Sequence, residues 1–76
     1  MIQQTKILVV DDAPDIVEIL SYNLQKSNYQ VLKATNGLEC LEVAQQTHPD
    51  LIILDIRMPG MNGIETCRKL RQIDGF

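Results

Sequence analysis

Soft metal ligands are scarce in this chain: two cysteines, Cys40 and Cys67, and one histidine, His48, among 76 residues. A zinc site needs more Cys or His than that. The two thiols lie far apart, each in a predicted helix with apolar neighbours. They read as reduced, buried groups of a cytoplasmic protein, not as a disulfide framework. His48 precedes Pro49 in a predicted loop and reads as a solvated side chain. Positive charge is also short. Seven Lys and Arg stand against ten Asp and Glu, a net charge of -3 with a pI near 4.8. That balance offers no basic footprint to nucleic acid or to an anionic membrane surface. No apolar run approaches the roughly 20 residues of a membrane span. The opening Met1-Ile2-Gln3-Gln4-Thr5-Lys6 lacks the apolar segment of a secretory signal. Low-complexity stretches and internal linkers are absent as well.

What is present fits one small globular domain. Hydrophobic content of 45% and charged content of 22% are ordinary for a folded protein. A chain this short buries only about 60–65% of its unfolded surface, so its core is marginal. Two apolar runs dominate it, and each drives into acid. Ile7-Leu8-Val9-Val10 ends at Asp11-Asp12, and Leu51-Ile52-Ile53-Leu54 ends at Asp55. Short, fully apolar runs bounded by turn residues have the pattern of buried parallel strands. In open α/β sheets, ligands occupy the crevice at the carboxyl ends of such strands.

The predicted order alternates strand and helix three times. A strand over about Lys6 to Val10 leads to a helix over about Pro14 to Lys26. Pro14 suits the first helical position, Asp15 suits the positive end of the dipole, and Ser27-Asn28 ends the helix. Ile16, Leu20 and Leu24, with Val17 and Ile19, form its apolar stripe. Tyr29 to Thr35 is a less apolar strand interrupted by Lys33, which suits an edge. Asn36 caps the next helix, with Glu39 three residues on completing a capping-box-like pair. Thr47-His48-Pro49-Asp50 forms the loop into the third strand, Leu51 to Leu54. Arg57-Met58-Pro59-Gly60-Met61 is a turn, because Pro-Gly cannot continue a strand. Asn62-Gly63-Ile64-Glu65 then repeats the earlier capping chemistry and opens a third helix, which runs to about Gln72. Strands joined by helices make βα units of an α/β domain.

Three carboxylates held close repel one another. At about 5 Å and an effective dielectric near 20, each pair costs about 3 kcal/mol. A bound cation offsets that cost, and oxygen-only ligation by one or two carboxylates plus water suits Mg²⁺. A carboxylate beside such an ion can act as a nucleophile toward phosphorus. A plainer reading stands beside this one. Asp11 and Asp12 precede a helix and can serve its cap and dipole, while Asp55 can be a solvated strand end.

Val9-Val10-Asp11-Asp12-Ala13-Pro14, taken with Asp55-Ile56-Arg57-Met58-Pro59-Gly60-Met61-Asn62-Gly63, resembles the receiver domain of two-component response regulators. The resemblance covers the chain from about Lys6 onward. It implies part of a flavodoxin-like, doubly wound parallel sheet, (βα)3, with strand order 2-1-3. It implies that Asp55 is the phosphoacceptor, charged by a sensor histidine kinase or a phosphotransfer protein. Asp12, Asp55 and the backbone carbonyl of Arg57 would bind Mg²⁺, with Asp11 assisting through water. Met58, Pro59 and Gly63 would shape the loop behind the acceptor. The family's switch Ser/Thr and its phosphate-contacting Lys have no counterpart here, and Lys6, Lys26, Lys33 and Lys69 match no such position. Residues 1–76 therefore read as a receiver without its fourth and fifth βα units, impaired in phosphorylation.

Other readings follow from the same residues. The third strand would be an open edge, which invites pairing with a second copy of the chain. A phosphorylation-incompetent interaction module, or a piece of a longer regulator, fits as well. Phosphatases of the haloacid dehalogenase type also use an aspartyl nucleophile, but they place a second Asp two residues later, where this chain has Arg57. The chain is accordingly expected to be a signalling module and not an enzyme.

Overall fold

The computed structural model describes residues 4–55 and 62–73. Three strands and three helices alternate: β1 (Lys6–Val10), α1 (Pro14–Lys26), β2 (Gln30–Ala34), α2 (Gly37–Thr47), β3 (Leu51–Leu54) and α3 (Gly63–Arg71). The sheet is parallel with order β2-β1-β3. Leu8 is in register with Leu32 on one side and Ile52 on the other. As expected from its lysine, β2 is an edge strand. It is shorter than Tyr29 to Thr35, because those two residues belong to the flanking turns.

The alternation of β1 divides the core. Leu8 and Val10 pack with Ala34, Cys40, Ala44 and Leu70, so α2 and α3 cover that face. Ile7 and Val9 pack with Val17 on the opposite face, beneath α1. A chain that crosses from β1 outward to β2 and then back past β1 to β3 has to place its helices on opposite faces. The reversal leaves a topological switch point between β1 and β3.

Helix α1 corrects part of the sequence reading. Its sheet-facing residues are Val17 and Ser21, with Leu20 and Leu24 half-buried, whereas Ile16 is 44% and Ile19 59% exposed. Five apolar residues spread over more arc than one small sheet can cover, and these two fall outside it. The helix ends in a Schellman motif. Asn28 adopts φ 69°, its N–H donates to the Gln25 carbonyl, and the Tyr29 N–H donates to the Leu24 carbonyl. Thr47 is the last residue of α2 and not part of the loop, and α3 stops at Arg71, one residue before Gln72. Left-handed His48 (φ 49°) caps α2 ahead of a buried Pro49.

Both Asn-Gly signals are caps. The Asn36 side chain accepts from the Glu39 N–H at 2.8 Å, and the Asn62 side chain accepts from the Glu65 N–H at 2.9 Å. The return bond from the Glu39 carboxylate reaches the Thr35 N–H, one residue before the cap. Among the described residues β3 pairs with β1 alone, and Leu51 is 53% exposed. The described helices include none long and apolar enough to cross a membrane.

Candidate functional site

Asp11 and Asp55 are set in place by the backbone ladder. Beyond the ends of β1 and β3, pairing continues by one residue. The Asp11 N–H donates to the Ala34 carbonyl at 3.2 Å, and the Asp55 N–H donates to the Val10 carbonyl at 3.0 Å. Parallel strands bring their carboxyl ends to one edge of the sheet, so Asp11, Asp12 and Asp55 emerge together at the switch point. One carboxylate oxygen from each lies within 4.8 Å of the others. Asp11 and Asp55 are half-buried and Asp12 is exposed.

The capping explanation for the acid pair fails. The N-cap of α1 is Ala13, which makes no side-chain cap. Asp11 instead closes an Asx turn, its Oδ1 accepting from the Ala13 N–H at 2.9 Å. This bond fixes the Asp11 carboxylate and aims the chain into α1. The N-terminus of α1 starts two residues after Asp12, so its positive dipole end adjoins the acids. Sequence reasoning missed Ala13 as the positioning partner. The signal for it was an Asp followed two residues later by a free backbone donor.

The remaining predicted residues divide between the described and undescribed segments. Gly63 is buried at the start of α3. Arg57, Met58 and Pro59, assigned to the metal carbonyl and the loop behind the acceptor, lie outside the described residues. Asp50 is at the far end of β3, where its carboxylate accepts from the Lys6 N–H at 2.8 Å. Lys6 Nζ donates to the Thr47 carbonyl at that same end, away from the acids. Lys26 stands over the Tyr22 ring. The cysteines differ from expectation: Cys40 is buried, but Cys67 is exposed because it lies on the uncovered side of α3. Burial pushes the Cys40 thiol from 9.0 up to about 11.

The donors at the switch point are three carboxylates with no nitrogen or sulfur among the described residues. That set fits a hard divalent cation such as Mg²⁺. It does not resemble a soft-metal site.

A family model for the response regulator receiver domain matches residues 7–75. The chain is 52% identical over 67 residues to the alkaline phosphatase synthesis transcriptional regulatory protein PhoP of Bacillus subtilis, a match covering 88% of this chain and 28% of that protein. It is 42% identical over 69 residues to sporulation initiation phosphotransferase F of the same organism, covering 91% and 56%. Among solved structures it resembles the response regulator TrrA of Thermotoga maritima, in complex with Mg²⁺-BeF (TM-score 0.87) and with the histidine kinase ThkA (TM-score 0.85). Identity to TrrA is 43%, over 91% of this chain and 60% of TrrA. The chain thus spans from about a quarter to somewhat over half the length of these curated relatives. Strand order, the acid cluster at the switch point and these matches lead to one conclusion: the chain belongs to the response regulator receiver domain family.

Proposed function

We propose that this chain is the phosphoacceptor module of a two-component signalling system, phosphorylated on Asp55. The observation that carries the reading is the convergence of Asp11, Asp12 and Asp55, from two strands, to within 4.8 Å. Asp12 and Asp55, with the Arg57 carbonyl, would hold Mg²⁺, and Asp11 would assist through water. When bound, the ion supplies positive charge that offsets the carboxylates and the incoming phosphoryl oxygens.

The acceptor chemistry belongs to Asp55. Its carboxylate oxygen attacks phosphorus in line, an O–P bond forms, and the bond from phosphorus to the donor nitrogen breaks. The imidazole of the donor histidine leaves and retains its proton. The donor is a sensor histidine kinase or a phosphotransfer protein. TrrA was solved with a histidine kinase, and one relative is named a phosphotransferase. The setting assigned to this module is the cytoplasm, and the net charge of -3 does not favour direct contact with nucleic acid.

Incubation with acetyl phosphate and Mg²⁺, followed by intact-mass measurement, tests the proposal. One phosphate should be added, and none in Asp55→Asn. Equal phosphorylation of that variant would overturn the assignment. The outer edge of β3 supports a further proposal, self-association with a second copy. Its ladder groups have one neighbouring strand among the described residues, and Leu51 and Ile53 are exposed.

A further inference from the structure

We draw no further inference here: the strongest candidate, the open apolar groove between the outer edge of β3 and helix α3, lined by Leu54, Ile64, Cys67 and Arg71, belongs to the edge contact already proposed, and nothing in the structure shows what covers it.

Discussion

Asp12 is the exposed member of the acidic trio at the switch point. Like charges this close oppose folding when no cation is present. Asp12→Asn is therefore expected to raise Tm in chelator and to lose most of the rise that Mg²⁺ gives the native chain. Melting curves with and without Mg²⁺ check this, and a Tm lowered in chelator contradicts it. Ser21 is a different residue-scale case. It is 2% exposed in α1, and its Oγ has no hydrogen-bond partner among the described residues. A buried hydroxyl left unpaired costs about 1–3 kcal/mol, so Ser21→Ala should hold or raise stability by about 1 kcal/mol in urea unfolding. The two thiols should also separate cleanly. Cys67 reacts with an alkylating reagent in the folded chain, while buried Cys40 reacts only on unfolding. Because burial raises the Cys40 thiol from 9.0 to about 11, its protonated form contributes fully below pH 9. That contribution is lost as pH rises from 9 toward 11, where the unfolded chain ionises first.

Helices α2 and α3 begin with the same device, an Asn whose side chain accepts from the N–H three residues later. Asn36→Ala should cost about 1 kcal/mol, or about 4–8 °C in Tm for a domain of this size. An unchanged Tm would mean that the cap carries no weight. Elements like these were legible in the sequence because their signals are local. Asn-Gly starts helices, Pro14 sits at the first turn, and apolar runs stop at acids. The face of α1 was not legible in full. Its five apolar residues fix an approximate direction, but only the width of the three-stranded sheet decides that Val17 packs while Ile16 and Ile19 remain outside. Ala13 was hidden for a related reason, since the Asx turn of Asp11 competes with capping and spacing cannot rank the two. Cys67 likewise sits at helical spacing, on a side of α3 that no described element covers.

As a whole, the molecule is built around one strand. Ile7, Leu8, Val9 and Val10 are each at most 3% exposed, and both small cores hang from them. The Cα radius of gyration of 12.0 Å is that of a compact domain of this length. Among the described residues β3 pairs with β1 alone, which leaves its outer edge open. Light scattering across a concentration series should therefore show association, and Ile53→Lys should shift it toward monomer. A monomer at every concentration rules out the edge contact but leaves the acid site untouched. The acid site was legible because both apolar runs end in carboxylates, and the order 2-1-3 that the family resemblance implied brings the ends of β1 and β3 together. Phosphate transfer from a phosphorylated histidine donor, followed by intact mass against Mg²⁺ concentration, tests the central claim most directly. The account predicts Mg²⁺-dependent addition of a single phosphate that is lost in Asp55→Asn. Mg²⁺-independent transfer, or a phosphate that persists in that variant, would contradict it.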